Sequence, residues 1–202
     1  MQTENVNMGK QIDRPVWWKV DRVLMRRKVL AIAPQFQIFD EQGGMLLHCQ
    51  QKLFKLKEDI RVYSDTSKQH EIMTIQARQI LDFSAAYDVV DTQNHVKVGA
   101  LRRKGWKSLF RDEWEILDPQ DQSIGWMRET GFALLRRFFN FLPQSFAIEI
   151  NGAPAGVVKQ SFNPFVFKAW MDLTQDPERK LDRRLAMAAG VLLMAIEGRQ
   201  RN

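Results

Sequence analysis

Apolar and polar residues alternate along most of this chain, and the alternation is cut into segments of similar layout. An alternating stretch runs into Asp or Asn, a short polar turn follows, and a second alternating stretch ends on basic residues. The first instances are Phe36-Gln37-Ile38-Phe39-Asp40 with Gly43-Gly44, and Val62-Tyr63-Ser64-Asp65. Tyr87-Asp88-Val89-Val90-Asp91 and Trp114-Glu115-Ile116-Leu117-Asp118 come next, and Phe146-Ala147-Ile148-Glu149-Ile150-Asn151-Gly152 is the last. The turn residues at 40, 65, 91, 118 and 151 are separated by 25, 26, 27 and 33 residues. Period-two alternation is the mark of a strand with one buried face, and Asp, Asn or Gly between two such runs marks a hairpin. Recurrence at this period means that one supersecondary unit is repeated. Five hairpins, with further strands near Arg22–Val29 and Phe165–Met171, predict about twelve strands. An antiparallel sheet of that size removes its exposed edges by closing.

The pattern changes once. Leu185 to Ile196 is apolar without interruption, flanked by Arg183-Arg184 and by Glu197 to Arg201. A helix that is apolar all round must be surrounded by protein or by lipid. Twelve residues at ~1.5 Å each span roughly 18 Å, well short of a bilayer core of about 30 Å. A closed barrel wider than about eight strands leaves an interior that its own side chains cannot fill. The expected fold is therefore mostly β, a closed antiparallel barrel of about twelve strands enclosing this helix. Asp176-Pro177, a capping residue before a proline, predicts the helix start, and Gly198 its stop, giving a helix over about 177–197. Residues 1–19 are expected to be an N-terminal tail and 20–199 a single domain, since no linker rich in Pro, Gly or Ser divides the chain.

These features resemble those of the phospholipid scramblase and LURP-one-related proteins. The resemblance rests on the repeated strand–Asp-x-x-Gly–strand unit, on Gly156 to Gln160 (Gly-x-x-Lys-Gln) and on the apolar helix after Leu181-Asp182-Arg183-Arg184, and it covers roughly Val20 to Arg199. It implies the Tubby C-terminal fold, a twelve-stranded barrel around a hydrophobic helix, and a membrane-linked role in lipid or phosphoinositide binding. In scramblase relatives an acidic segment before the last helix is proposed to bind calcium, and the matching stretch here is Asp172 to Asp182. That stretch lacks EF-hand spacing and contains Arg179 and Lys180, so capping and ion pairing are its expected work. The proline-rich arm and cysteine cluster of scramblases have no counterpart among these residues.

Charge adds one lead. Thirty Lys and Arg against 24 Asp and Glu leave a net +6, which favours anionic partners. Arg102, Arg103, Lys104 and Lys107 form a run without an acid around Trp106, and at an anionic membrane each cation contributes about 1 kcal/mol. Residues 131–143 set Arg136 and Arg137 among phenylalanines and leucines, which suits either an interfacial segment or a lid over one barrel end. The candidate lipid-binding set is thus Arg102, Arg103, Lys104, Trp106, Lys107, Arg136 and Arg137. Enzyme signatures are missing: no nucleophile elbow, phosphate loop or dinucleotide fingerprint occurs. His48, His70 and His95 follow the repeat and are expected as polar strand positions, and the single cysteine, Cys49, as a buried apolar residue. No catalytic residue, metal or cofactor is expected. The expected function is non-enzymatic, scramblase-like or LURP-one-related peripheral binding of anionic phospholipid surfaces, with a soluble protein-interaction or regulatory module as the alternative. One cysteine and a polar start (Met1 to Asp13) fit a cytoplasmic protein, at most peripheral on the inner membrane face. Nucleic acid is not the expected partner, because no groove-reading or stacking motif appears.

Overall fold

The computed structural model describes residues 16–28, 33–52, 59–78, 86–104, 113–130, 144–161 and 167–200. Its strands are β1 (Arg22–Lys28), β2 (Gln35–Phe39), β3 (Met45–Gln51), β4 (Asp59–Tyr63), β5 (Glu71–Ala77) and β6 (Ala86–Asp91). They continue as β7 (Val96–Arg103), β8 (Glu113–Leu117), β9 (Ser123–Thr130), β10 (Ser145–Ile150), β11 (Ala153–Ser161) and β12 (Lys168–Asp172). A short helix α1 (Val16–Lys19) precedes them and α2 (Arg183–Gln200) follows. Each strand pairs antiparallel with its neighbours in sequence, and β12 returns to β1, so the barrel is closed.

The five repeated hairpins share one construction. Just before each turn the register slips, at Ile38/Phe39, Val62/Tyr63, Val89/Val90, Ile116/Leu117 and Ile148/Glu149. A bulge bends and twists its strand, and a bulge recurring at each hairpin lets a wide sheet curl shut. The aspartate then organises the turn. Asp40 accepts the Gly44 amide at 2.7 Å, Asp65 that of Ser67 at 2.7 Å, Asp91 those of Gln93 and Asn94, and Asp118 those of Gln120 and Gln122. A left-handed residue closes each turn: Gly43, Lys68, His95, Asp121, and Asn151 with Gly152. In the first four hairpins the repeat in the sequence is therefore an Asx turn with a left-handed exit, and in the fifth Asn151 and Gly152 are both left-handed.

Alternation places Val23, Met25, Phe36, Ile38, Leu47, Val62, Met73, Ile75, Val89, Leu101, Ile116, Met127, Val158 and Met171 on the inner face, all but fully buried. Inside them runs α2, whose residues Leu185 to Ile196 are each 8% exposed or less. It packs against β7, β6, β1 and β12. At Gly190 an added Cβ would stand 2.5 Å from the Met25 sulfur, so the absence of a side chain sets how closely the helix approaches β1.

Both expected helix limits are corrected. The helix starts at Arg183, not near Pro177, because Asp176 spends its carboxylate on a turn that holds Arg179 at a positive φ of 55°. Asp182 is the cap instead, accepting the Arg184 amide at 2.8 Å, and its own carbonyl takes the Ala186 amide. Gly198 lies within α2 and does not stop it. At the other end of the chain, Trp17 of α1 is buried in the core, three residues before the expected boundary at Val20.

Candidate lipid-binding surface

Arg102 and Arg103 are neighbours in sequence and sit on opposite faces of the wall. Arg103 shares the inward-facing side of the ladder with its partner Trp114, which is 1% exposed. Arg102 faces outward opposite Glu115, to which it donates from Nε at 2.8 Å and from Nη2 at 2.5 Å. Lys104 is exposed, lies 3.9 Å from the same carboxylate and sits 4.8 Å above the Trp126 ring. Arg128 stacks on that ring at 4.7 Å while pairing with Glu113 at 3.2 Å. Glu149 is Trp126's cross-strand partner on β10. Burial pulls the Glu115 carboxyl upward, but hydrogen bonds from Arg102 and Ser123 and the charges of Arg102 and Lys104 outweigh it and hold the group below the ordinary glutamate range.

The acid-free run in sequence is therefore not acid-free in space. Arg102, Lys104 and Arg128 surround Trp126 together with Glu113, Glu115 and Glu149, a balanced set. Trp126, Arg128 and the three glutamates were missed by sequence reasoning because they reach this surface from β8, β9 and β10, and only the register brings them together. Trp106, Lys107, Arg136 and Arg137, with the whole 131–143 segment, lie outside the described residues.

The acidic segment before α2 has its carboxylates engaged. Asp172 accepts from Arg22 Nε at 2.9 Å and from the Thr174 amide and hydroxyl. Asp176, buried, accepts the amides of Lys180 and Leu181 at 2.8 and 3.0 Å and a bond from Arg183 at 2.9 Å. Glu178 pairs with Lys180, and Asp182 with Arg184. Arg183 also reaches Asp21 at 2.8 Å, Arg179 donates to the Trp18 and Lys19 carbonyls, and Arg184 lies 5.0 Å over the Trp18 ring. These contacts fasten α1 to the start of α2. Among the described residues no group of His, Cys, Asp and Glu is arranged to hold a metal ion.

The histidines are not alike. His70 is in the β4–β5 turn and His95 is itself a left-handed turn residue, so neither is the strand position expected; His48 alone is in a strand. His48 is 2% exposed and neither ring nitrogen has a hydrogen-bond partner; burial, then the charges of Lys68 and Lys28, push its pKa down. Cys49 faces the core, fully buried, and burial pushes its thiol well up, away from nucleophilic use.

The family model of the LURP-one-related proteins matches residues 22–194, from the first residue of β1 into α2. The chain belongs to the LURP-one-related family. No curated protein and no solved structure matches it. The match spans every repeated hairpin of this LURP-one-related barrel and the buried part of its helix up to Met194.

Proposed function

We propose that this LURP-one-related barrel is a non-enzymatic, scramblase-like binding protein that associates reversibly with anionic phospholipid surfaces through its outer wall. The observation that carries the proposal is the filled interior. Leu185 to Ile196 occupy the space in which a barrel would hold a small molecule, and ligand pockets need a concave, mostly preformed cavity. The partner is then met from outside. Among the described residues no helix is long and apolar enough to cross a membrane, which fits contact with a surface better than helical insertion. The net charge of +6 favours an anionic partner. Co-sedimentation with phosphatidylcholine vesicles, with and without phosphatidylserine, tests the proposal. Binding should require the acidic lipid and weaken as the Debye length shrinks from about 10 Å at 0.1 M salt to about 3 Å at 1 M. Failure to sediment with acidic vesicles at low salt would refute it.

One observation favours a second reading, a protein-interaction module. The surface around Trp126 pairs an aromatic with arginines, residue types enriched in protein contacts, and its glutamates cancel the positive charge that acidic headgroups would attract.

A further inference from the structure

Outward-facing cations over most of the described wall are matched by acids on the same or the adjoining strand or turn. Arg61 meets Asp59 and Glu71, Arg78 meets Asp88, Lys97 meets Asp121, Arg102 meets Glu115, and Arg22 meets Asp172. On β11, β12 and β1 the matching stops beyond the Arg22–Asp172 end of the wall. Arg26 stands directly opposite Lys168, Lys28 follows two residues along β1, and Lys159 is diagonal to Lys168 across β11. Among the described residues none of these four has an ion pair; Arg26 instead lies 4.9 Å over the Phe39 ring. Like charges directly opposite on a sheet repel, so this arrangement works slightly against the fold, and an anion docked on the wall would relieve it.

Beside the cations lies an apolar row. Phe39, Leu24 and Trp170 are successive cross-strand partners over β2, β1 and β12, and the row ends at Lys159. Trp170 is 46% exposed. The next row is Gln37, Arg26, Lys168 and Ser161. An exposed tryptophan in an apolar row, set against unpaired cations, is the chemistry that suits a bilayer interface, where the ring sits at headgroup depth and the cations meet acidic headgroups.

We infer that the β11–β12–β1 wall, through Arg26, Lys28, Lys159, Lys168 and Trp170, is the surface that docks on anionic bilayers. This rests on the function proposed above and gives it a place. The wall is centred on β12, three strands of twelve from β9, which carries Trp126. The two tryptophans lie about a quarter of the circumference apart, so a flat membrane centred on one of them leaves the other to the side.

The test compares three full-length proteins on phosphatidylcholine vesicles with and without phosphatidylserine: wild type, Arg26→Ser/Lys28→Ser/Lys159→Ser/Lys168→Ser, and Arg102→Ser/Lys104→Ser/Arg128→Ser. Each cation removed from a docked wall weakens binding roughly fivefold, so the four together cost several-hundred-fold, while the second variant stays within about fivefold of wild type. If wild type binds and the second variant is the one that fails, the wall assignment is overturned and the lipid proposal stands. If wild type does not bind acidic vesicles, both fall. Wild-type retention on heparin, lost in the wall variant, without vesicle binding would overturn the bilayer as occupant. Removing the opposed Arg26 and Lys168 charges should leave thermal stability unchanged or raised. Should the quadruple variant fold poorly, the single changes Lys168→Ser and Trp170→Ala carry the test, each expected to weaken binding about fivefold or more, and full affinity in both would overturn the assignment.

Discussion

Replacing Asp176 with Ala tests the account of how the helix is held in the barrel. The carboxylate is buried and takes three bonds: the Lys180 amide at 2.8 Å, the Leu181 amide at 3.0 Å and Arg183 Nη1 at 2.9 Å. Arg183 is 1% exposed at the first position of α2, and its Nε has no partner. Asp21, at 2.8 Å from Arg183 but 36% exposed, would compensate the buried charge only in part, so removing Asp176 should cost about 3–5 kcal/mol, a large part of a typical total of about 5–15. At about 2–4 °C per kcal/mol for a chain of this size, the melting temperature should fall by about 6–20 °C. Urea unfolding followed by tryptophan fluorescence would give the free energy at constant m. The companion variant, Asp176→Ala/Arg183→Met, removes both charges and keeps apolar volume beside Leu181 and Leu185, so it should recover part of the loss. A loss below about 1 kcal/mol in Asp176→Ala, or a double variant less stable than the single one, would refute the reasoning.

Three further outcomes are expected. Leu193→Asp, which puts an unpaired charge at a site 2% exposed among strands, should leave little folded protein, and a soluble, cooperatively melting variant would contradict the enclosed helix. Thermal melts in chelator and in millimolar calcium should coincide, because Asp172, Asp176 and Asp182 already bond to arginines, backbone amides and Thr174; a calcium-dependent rise abolished by Asp172→Asn would show a site there. In acid, stability should fall in two stages. The lowered pKa of His48 means that the unfolded chain takes up its proton first, so stability drops as pH falls below about 6.5, and His48→Asn should remove that stage. Asp91 and Glu115 are held below the ordinary carboxylate range against the upward pull of burial, Asp91 by Asn94, Arg184 and Gln93 and Glu115 by Arg102, Ser123 and Lys104, so their contribution is lost as pH falls below about 4. Denaturant midpoints measured across pH would check both stages.

The barrel was legible because its signals are local. Asp40, Asp65, Asp91 and Asp118 bond amides two to four residues away, and the alternation about them shows which face is buried, so strand count and closure follow from short stretches. The helix was legible for the same reason, since Leu185 to Ile196 carries no polar face. Its start was misplaced because Asp176-Pro177 satisfies the rules for a cap, while the competing use of Asp176, holding a turn and a buried arginine, depends on tertiary contacts.

The surface was the least legible part. Arg102-Arg103-Lys104 reads as one cluster along the chain, yet alternation sends Arg103 to the other face and register brings Glu115 and Glu149 to the remainder. Conversely, Arg26, Lys159 and Lys168 are more than a hundred residues apart in part and meet only because β12 closes the barrel onto β1. Arg26-x-Lys28 and Lys168-x-Trp170 carry the period-two signal of one strand face, but nothing in the sequence fixes the register that joins them.

Quenching of Trp170 by lipid tests the central claim most directly. Vesicles containing phosphatidylserine and a lipid brominated near the headgroup should quench part of the wild-type tryptophan emission at low salt. That part should vanish in Trp170→Phe and persist in Trp126→Phe if the β11–β12–β1 wall lies on the membrane. Quenching that survives Trp170→Phe and disappears in Trp126→Phe would contradict the account and move the contact to the charge-balanced surface around Trp126.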